Sequence, residues 1–510
     1  MSKVETMRSI LDFFEKTVEQ YPEKVAFADE EKSCTYRELQ MRSKRIASYL
    51  LDKVELGQPV PIFMEKGVDT IAVFLGSVYA GAFYTVLDIK HPKTRIESIL
   101  NTLKSDFFFS SEAFRKEAEQ YAEEKTIYWL EEAEQTEIDE EGLARIAEKR
   151  LDTLPLYCNF TSGSTGTPKG VLVSHRSVID FIGEFTKLFN ITEDDVIGNQ
   201  APWDFDVSVK DIYSGLMCGA TVQIIPRKLF SFPTKLLDYL CEREVTTLIW
   251  AVSALCIITT LKGFEYRVPE KIRKVMFSGE VMPMKHFQLW KKYLPNAEYV
   301  NLYGPTEITC NCTYYRIERE FAEGESIPIG REFPNEKVFL LNEDDEEVTE
   351  VNTPGEICVS GTAVAIGYYN NPEQTSRAFV QNPLNPLYAE RIYRTGDLGY
   401  YGADGELYYK CRKDFQIKHM GHRIELGEIE MAMNGVEEVL RCCCIFDEKK
   451  NKIAAFYEGA IEKRALKRKL GEKLPMFMLP NVFYPLEEMP LNKNGKIDRN
   501  RLKKQYLEEM

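Results

Sequence analysis

Thr161-Ser162-Gly163-Ser164-Thr165-Gly166-Thr167-Pro168-Lys169-Gly170 is a stretch of five hydroxyl-bearing residues, three glycines, one proline and one lysine. An apolar run, Leu154–Phe160, precedes it and Val171–Val173 follows it, and both runs are typical of strands. Glycine lets backbone N–H groups approach an anion closely, hydroxyls add hydrogen-bond donors, and lysine adds a positive charge. The stretch therefore predicts a loop between two strands that binds a triphosphate.

This loop differs from the P-loop of nucleotide hydrolases. Pro168 stands where the P-loop pattern has a glycine, and Gly170 stands where it has a magnesium-binding serine or threonine. A P-loop also opens directly into a helix, whereas a strand-like segment follows here. A flexible Gly/Ser linker is the alternative, but linkers rarely lie between two apolar runs. The stretch is therefore a phosphate loop of another kind.

Composition and charge exclude several classes of protein. The chain has 510 residues, and its net charge of −15 argues against a nucleic-acid-binding surface. No apolar stretch approaches the roughly 18 residues of a membrane span, and the N-terminal residues lack the apolar core of a signal peptide. The twelve cysteines show no zinc-binding spacing, so we expect reduced thiols and a cytoplasmic protein.

The pattern of helices and strands changes twice along the chain. Helical periodicity, as in Ile10–Tyr21 and Tyr36–Leu51, alternates with short Val/Ile/Leu runs over about 410 residues, which predicts an α/β fold with buried strands. From about Ile329 to Tyr409, short strands separated by turn residues predict a β subdomain. The predicted domain boundary lies at Arg412-Lys413-Asp414, because a compact α+β pattern follows it.

A second motif, Asn301–Glu307, follows a strand-like segment. Its Gly-Pro pair forces a turn and presents the next residues at a strand end, where open α/β sheets bind ligands. Tyr303 is suited to stacking on a base, Thr306 to binding phosphate, and Glu307 to holding a hard cation through its carboxylate. Taken alone, an ordinary surface turn is the alternative interpretation.

Three further motifs contain a charged residue in a distinctive setting. Asp397, near the end of a strand, is able to accept two hydrogen bonds from a ribose diol, with a turn-capping role as the alternative. Asp206 lies among aromatic residues and needs a cationic partner, unless it caps a helix starting near Ser208. Lys496 follows an Asn-Gly turn pair, which predicts display on a loop tip, and a merely solvated lysine is the alternative.

In this order, the motifs resemble those of the adenylate-forming superfamily of acyl- and aryl-CoA ligases, luciferases and peptide synthetase adenylation domains. The resemblance is closest to the amino-acid-activating branch, which comprises nonribosomal peptide synthetase adenylation domains and free-standing D-alanine–carrier protein ligases. It covers nearly the whole chain and rests also on Thr35–Leu39, Tyr79–Tyr84, Pro354–Ile357, Gly367-Tyr368 and Gly421–Glu425.

The resemblance implies both an architecture and a reaction. It implies an α/β fold with a large N-terminal domain of two α/β layers and a β-barrel-like subdomain (residues 1–412, subdomain about 329–410). A small mobile α+β domain, residues 413–510, would follow a hinge at Asp414. A carboxylate would attack the α-phosphate of ATP with Mg²⁺, giving acyl-AMP and pyrophosphate. A phosphopantetheine thiol would then displace AMP to form a thioester.

The resemblance also implies a role for each matching residue. Lys496 would bridge the substrate carboxylate and the α-phosphate, since one cation between two approaching anions lowers the barrier. Thr306 would bind the α-phosphate and Glu307 the magnesium. The adenosine would be bound by Asn301 at the adenine amino group, Tyr303 on the ring, and Asp397 and Arg412 at the ribose. The β- and γ-phosphates would be held by Thr161, Ser162, Gly163, Ser164, Thr165, Gly166 and Lys169.

The residues at the pocket positions indicate a class of substrate and not one compound. Asp206 matches the carboxylate that pairs with a substrate α-ammonium, which favours amino acids over fatty or aryl acids. A lysine facing the pocket at Lys210 is costly unless it meets an anion or a polar group of the substrate, which favours a polar or acidic amino acid. Alanine or another small amino acid stays open, because D-alanine ligases resemble this chain in size. The pocket positions would be Asp206, Val207, Lys210, Ile249, Met276, Ser278, Leu302, Cys310 and Asn311.

The resemblance further implies a protein partner. No carrier attachment motif lies between Lys496 and Met510, so we expect a monomeric enzyme that loads a separate phosphopantetheinylated carrier protein. The basic segment Lys463–Lys469 is a candidate docking site, with a solvated helix face as the alternative. An acyl- or aryl-CoA ligase is the rival function, which would share the ATP site but have no need of Asp206.

Overall fold

The computed structural model describes residues 7–162, 168–322, 325–413, 416–490 and 497–508, which form two compact units. The first unit comprises the described residues up to Ile89, together with Leu103–Asn159 and Gly170–Lys413. The second unit comprises Lys90–Thr102, the described part of Phe160–Lys169, and the described residues from Gln416 onward.

The larger sheet of the first unit is mostly parallel. Six adjacent strands, from Glu298–Tyr303 across to Val25–Ala28, run parallel, and the edge strands are antiparallel. Central strands such as Thr247–Ala251 and Lys274–Ser278 are buried along their whole length, as parallel strands covered on both faces must be. Among the described residues the strand order is Arg331–Glu332, Thr313–Arg316, Glu298–Tyr303, Lys274–Ser278, Thr247–Ala251, Val196–Asn199, Thr221–Ile224, Val25–Ala28 and Ser33–Thr35.

A second sheet contains the strands on either side of the phosphate loop. The predicted strands before and after the loop are confirmed as Pro155–Thr161 and Lys169–Ser174. Residues of both sheets belong to one hydrophobic core, to which Tyr84 and Val222 both contribute. In the part of the chain described, the strand order is Gly367–Tyr368, Lys169–Ser174, Pro155–Thr161, Phe83–Val86, Pro59–Ile62, Phe107–Ser110 and Thr126–Trp129.

Two helices of the first unit begin at capping boxes that the sequence provides. The predicted helices are confirmed as Ile10–Gln20 and Tyr36–Leu50, and each starts with a capping box, from Ser9 and Thr35. Their apolar stripes are buried against the core. The other helices outside the second unit are Val68–Tyr79, Arg115–Ala118, Leu130–Ala133, Glu140–Lys149, His175–Leu188, Ser208–Cys218, Pro233–Glu242, Val252–Thr260, Met284–Tyr293 and Pro372–Ala378.

The predicted β subdomain is a five-stranded antiparallel sheet within the first unit. Its long strand Arg391–Tyr401 pairs with three others, so the sheet is organised around it. A register shift between Leu398 and Gly399 bends this strand next to Asp397. The remaining strands are Glu336–Leu341, Gly355–Gly361, Phe379–Gln381 and Leu407–Arg412.

The second unit has the α+β character that the sequence predicts for the C-terminal residues. A two-stranded sheet, Gln416–His419 with His422–Glu425, precedes a three-stranded one. The three strands are Val439–Asp447, Lys452–Gly459 and Val482–Leu486, and the helices are Lys93–Leu103, Leu426–Asn434, Lys463–Gly471 and Arg499–Glu508. Across the described residues of both units, no helix combines the length and the apolar character that crossing a membrane requires.

Candidate active site

The phosphate loop is described only at its two ends. Thr161 and Ser162 end one strand and Lys169 begins the next, whereas Gly163, Ser164, Thr165 and Gly166 lie outside the described residues. The Thr161 hydroxyl is buried and has no hydrogen-bond partner among the described residues. The Ser162 hydroxyl donates to the Arg423 carbonyl at 2.7 Å and accepts from the Glu425 N–H at 3.1 Å, within the second unit. The end residues are therefore held in place by backbone and neighbouring strands.

Asn301, Tyr303, Thr306, Glu307 and Asp397 are buried at the end of the strand Glu298–Tyr303, and we call them the strand-end cluster. The Gly304-Pro305 turn leads from the strand into a short 3₁₀ turn, Thr306–Ile308. A Cβ at Gly304 would lie 2.5 Å from the Cα of Asn311, so only glycine allows the two chain segments to meet there. The turn predicted from Gly-Pro thus places the cluster against the segment that follows it.

Both carboxylates of the strand-end cluster accept a hydrogen bond from a tyrosine hydroxyl. Tyr303 donates to Asp397 Oδ2 at 2.6 Å, and Tyr368 donates to Glu307 Oε1 at 2.7 Å. Burial, together with the neighbouring Asp397, raises the pKa of Tyr303 well above its usual range, so its hydroxyl stays a donor. From the sequence we expect Tyr303 to stack on a base, and no role is predicted for Tyr368. Neither hydrogen bond was predicted, because neither leaves a local signal in the sequence.

Arg412 completes the surroundings of Asp397. Its Nη1 donates to Asp397 Oδ1 at 2.9 Å and to the Thr395 carbonyl at 2.6 Å. The two residues face one another across paired strands, and Gly396 adopts a φ of +70° beside the guanidinium. Among the described residues, each carboxylate oxygen of Asp397 therefore has one side-chain donor, which leaves a lone pair able to accept from a ligand diol. Asn301 is fixed separately, through a 2.7 Å hydrogen bond to the Pro328 carbonyl.

Asp206, Lys210, Cys310 and Asn311 form a second buried group, which we call the lysine pocket. Lys210 is 0% exposed, and its Nζ donates to Asn311 Oδ1 at 2.6 Å. The Cys310 thiol donates to the Asp206 carbonyl at 2.6 Å. Thr309 and Cys310 both have positive φ, of +49° and +81°, which is an uncommon backbone for non-glycine residues. Lys210 therefore has a polar partner within the protein, Asn311, whereas the sequence predicts a polar or anionic group of the substrate.

The structure does not support the capping role considered for Asp206. The helix Ser208–Cys218 has Val207 at its N-cap and no side-chain capping hydrogen bond. The Asp206 side chain is 4% exposed and lies just before this helix. The other predicted pocket residues, Val207, Ile249, Met276, Ser278 and Leu302, are all buried, and the last four lie on adjacent strands of the larger sheet.

Two predicted residues outside the phosphate loop are also not described. Lys496 and the hinge residue Asp414 lie outside the described residues, so their roles stay predictions. Lys66, Asn199 and Asp211 were not predicted, and the side chains of Lys66 and Asp211 each form a hydrogen bond with that of Asn199. A lysine in a turn and two polar residues at the ends of apolar elements have no distinguishing pattern in one sequence. Only their hydrogen bonds identify these residues, and these bonds are visible only in the three-dimensional structure.

Comparison with known proteins identifies the family. The family model described as AMP-binding enzyme matches residues 14–369. Tyrocidine synthase 1 of Brevibacillus parabrevis is 31% identical over 97% of this chain, which spans 45% of that protein. Zwittermicin A synthase ZmaJ of Bacillus cereus is 32% identical over 97% of this chain and 94% of that protein.

A solved structure agrees with the fold. The adenylation domain AlmE of Vibrio cholerae, in complex with glycyl-adenosine-5′-phosphate, superposes with a TM-score of 0.83 and 22% identity. The alignment covers 100% of this chain and 99% of that one. At this identity the match concerns the architecture, which is the mixed α/β one described above. The chain therefore belongs to the family of AMP-binding enzymes and is an adenylate-forming ligase like the adenylation domains of nonribosomal peptide synthetases.

Proposed function

We propose that this enzyme activates an amino acid as aminoacyl-AMP and transfers it to the phosphopantetheine thiol of a separate carrier protein. In the first step a carboxylate oxygen bonds to the α-phosphorus of ATP while the bond to the β-phosphate breaks, releasing pyrophosphate. In the second step the thiol sulfur bonds to the carbonyl carbon, AMP leaves, and the thiol proton passes to solvent. The observation that carries the proposal is a buried carboxylate, Asp206, beside the strand-end cluster in one compact unit.

The strand-end cluster suits the adenosine and the α-phosphate. Asp397, oriented by Tyr303 and Arg412, is a fixed acceptor for the ribose hydroxyls. Asn301 would bind the adenine and Tyr303 would lie against its ring, while Thr306 would contact the α-phosphate. The described ends of the phosphate loop, Thr161 and Ser162 with Lys169, would hold the β- and γ-phosphates. The unpartnered buried hydroxyl of Thr161 supports this role, because such a group needs a ligand or water.

Magnesium would be bound by Glu307. A carboxylate oxygen is the kind of ligand that this hard cation prefers, and Tyr368 holds the carboxylate in one orientation. Bound there, the cation would offset the negative charge of the phosphates. Lys496 would supply the second cation at the reacting atoms. After adenylation, rotation at Asp414 would withdraw Lys496 and bring another surface of the C-terminal domain to the site, where the thiol would enter. Both of these residues lie outside the described part of the chain.

Within the substrate class, the lysine pocket favours a polar or acidic side chain. Lys210 is buried with a neutral amide oxygen as its described partner, and an incoming carboxylate or hydroxyl is a better complement for its charge. The alternative is alanine, in the L or D form, or another small amino acid. Because Asn311 already accepts a hydrogen bond from Lys210, the lysine would then need no polar group of the substrate. Specific D-alanine–carrier protein ligase activity is the form that this alternative takes.

Carrier binding is the proposed role of the second unit. Lys463, Arg464, Lys467 and Arg468 are exposed on the helix Lys463–Gly471, whereas Leu466 and Leu470 on the opposite face are buried. A typically acidic carrier would be attracted to this face despite the net negative charge of the enzyme. We expect the enzyme to be monomeric and cytoplasmic, with the twelve cysteines as the free thiols of the structure.

ATP–pyrophosphate exchange with each of the twenty amino acids and D-alanine tests the first half-reaction. We expect exchange with one amino acid or a small related group, and Asp206→Asn to reduce it. Silence with the whole panel contradicts the assignment to amino acids. For the second half-reaction, thioester formation is compared between coenzyme A and a phosphopantetheinylated carrier. A preference for coenzyme A, with D206N fully active, supports the acyl- or aryl-CoA ligase instead.

A further inference from the structure

The amine of Lys66 lies among backbone carbonyls at the end of a strand of the larger sheet. Lys66 is half-buried in the turn before the helix Val68–Tyr79. Its Nζ lies 3.0 Å from the Gln200 carbonyl, 3.3 Å from the Asn199 carbonyl and 3.2 Å from Asn199 Oδ1. At the end of the strand Val196–Asn199 the Asn199 carbonyl still accepts from the Ile225 N–H at 3.1 Å, whereas no backbone donor among the described residues reaches the Gln200 carbonyl. An ammonium group has three protons to give these oxygens.

Asn199 also connects Lys66 to the helix that follows Asp206. Its Nδ2 donates to Asp211 Oδ2 at 2.7 Å, and its Oδ1 accepts from Trp203 Nε1 at 3.1 Å. Asp211 is 0% exposed in the helix Ser208–Cys218 and immediately follows Lys210. Burial lowers the pKa of Lys66 to about 7 and raises that of Asp211 to about 7, and each charge partly offsets the shift of the other. The two groups thus lie within electrostatic range of one another.

The chain of contacts from Lys66 through Asn199 to Asp211 therefore joins the two ends of one segment. Residues 200–207 run from the strand end to the helix start and carry Asp206 near their C-terminal end. Lys66 holds the first carbonyls of the segment, and Asp211 lies in the first turn of the helix that follows it. Residues 200–207 belong to no strand, and the Asp206 carbonyl accepts from the Val209 N–H at 3.0 Å and from the Cys310 thiol at 2.6 Å. The contacts of Lys66 and Asp211 at the two ends of the segment add to these local ones.

We propose that Lys66 and Asp211, bridged by Asn199, are positioning residues that hold Asp206 for the substrate ammonium group. This rests on the proposed function of Asp206. The role differs from general support of the fold, because it predicts an effect on recognition of the ammonium group and not on the carboxylate or the nucleotide. A loss of the network displaces the Asp206 carboxylate from the ammonium, whereas the strand-end cluster, on other strands, keeps its contacts.

The test compares the preferred amino acid with its des-amino analogue, the carboxylic acid of the same side chain. ATP–pyrophosphate exchange gives kcat/KM for both, and their ratio measures recognition of the ammonium group. We expect Lys66→Met to lower this ratio about tenfold or more, as displacement of a binding group by a fraction of an ångström does. Lys66→Arg keeps a cationic donor and is expected to restore most of the ratio. Lys187→Met, at a side chain that is 78% exposed, is the matched control and leaves the ratio unchanged.

A second pair of variants tests the other end of the network. Asp211→Ala removes the acceptor of the Asn199 amide and is expected to lower the ratio, while Asp211→Asn keeps an acceptor oxygen and retains it. Circular dichroism checks that each variant is folded, and this pair decides the matter if K66M is not. Equal losses of kcat/KM for the amino acid and its analogue, or an unchanged ratio in K66M and D211A, overturn the proposal.

D206N separates this inference from the function on which it rests. If D206N lowers the ratio of the two kcat/KM values to about one but K66M and D211A leave it unchanged, Asp206 binds the ammonium group without help from the network. In that case only the inference fails. If D206N leaves the ratio unchanged, the proposed function of Asp206 fails first, and the positioning role fails with it.

Discussion

The strand-end cluster and the lysine pocket lie side by side, but the charged groups that they hold have opposite signs. In the strand-end cluster two carboxylates, Glu307 and Asp397, are each held by a neutral phenol, 2.7 and 2.6 Å away. In the lysine pocket a buried ammonium, Lys210, is held by a neutral amide of Asn311. Under the proposed function, the first arrangement would present anions to a magnesium ion and a sugar, and the second would present a cation to the substrate. The difference would then separate the residues of the reaction from those that select the substrate.

The largest effect is expected at the carboxylate that would bind magnesium. Glu307→Gln keeps the shape and the acceptor for Tyr368 but removes the charge, and we expect ATP–pyrophosphate exchange to fall about 10²–10³-fold with every amino acid. Glu373→Gln, at a side chain that is 76% exposed, is the control. Tyr368→Phe should be milder and should raise the magnesium concentration needed for half-maximal rate. If E307Q shows normal exchange, Glu307 does not bind the catalytic magnesium, and the strand-end cluster is not the region that carries the reaction.

The predictions for these two regions also show how much of the molecule one sequence contains. The strands around the phosphate loop and the helices with capping boxes were predicted within a few residues, because periodicity and capping are local. The residue types of the site were identifiable because they cluster in short motifs. The contacts of Tyr303 with Asp397 and of Tyr368 with Glu307 were not, since their partners are 94 and 61 residues apart.

The same reasoning explains why the network below Asp206 was missed. Lys66 meets Asn199 across 133 residues, in a place set by the order in which distant strands pair. A buried polar residue adds nothing to hydrophobic periodicity, so a single sequence does not distinguish it from a solvated one. The cost of burying Lys210 predicts a polar or anionic group of the substrate beside it, whereas its contact with Asn311, 101 residues away in the sequence, required the fold.

The next largest effect is expected at the lysine pocket. Lys210→Met removes the cation at similar length, and we expect kcat/KM for a polar or acidic substrate to fall about 10- to 100-fold, the size of a hydrogen bond to a charged group. The KM for ATP should not change, because the strand-end cluster keeps its contacts. If alanine is the preferred substrate and K210M leaves the preference intact, Lys210 only closes the pocket and the small-substrate alternative is correct.

A smaller effect is expected when the phenol that orients Asp397 is removed. Tyr303→Phe keeps the ring but loses the hydrogen bond to Asp397, so the KM for ATP should rise about tenfold while the KM for the amino acid stays the same. Tyr388→Phe, at a residue that is 67% exposed, is the control. If only the KM for the amino acid rises, Tyr303 contributes to amino-acid binding and not to ATP binding, which contradicts its place in the strand-end cluster.

The smallest effect is expected from charges that belong to neither region. The triple variant K463E/R464E/K467E reverses three exposed cations of the helix Lys463–Gly471, whose apolar side stays buried. Exchange with ATP and the amino acid should be unchanged, while loading of a carrier protein should slow about tenfold at low salt and converge with the wild type at high salt. The variant K187E/K262E/K271E changes the net charge equally at exposed lysines of the first unit and serves as the control. If both triple variants slow loading alike, net charge alone governs the encounter and the basic helix is not the docking site. If the helix variant also loses exchange, the helix contributes to adenylation, and the division between the two regions and the second unit has to be redrawn.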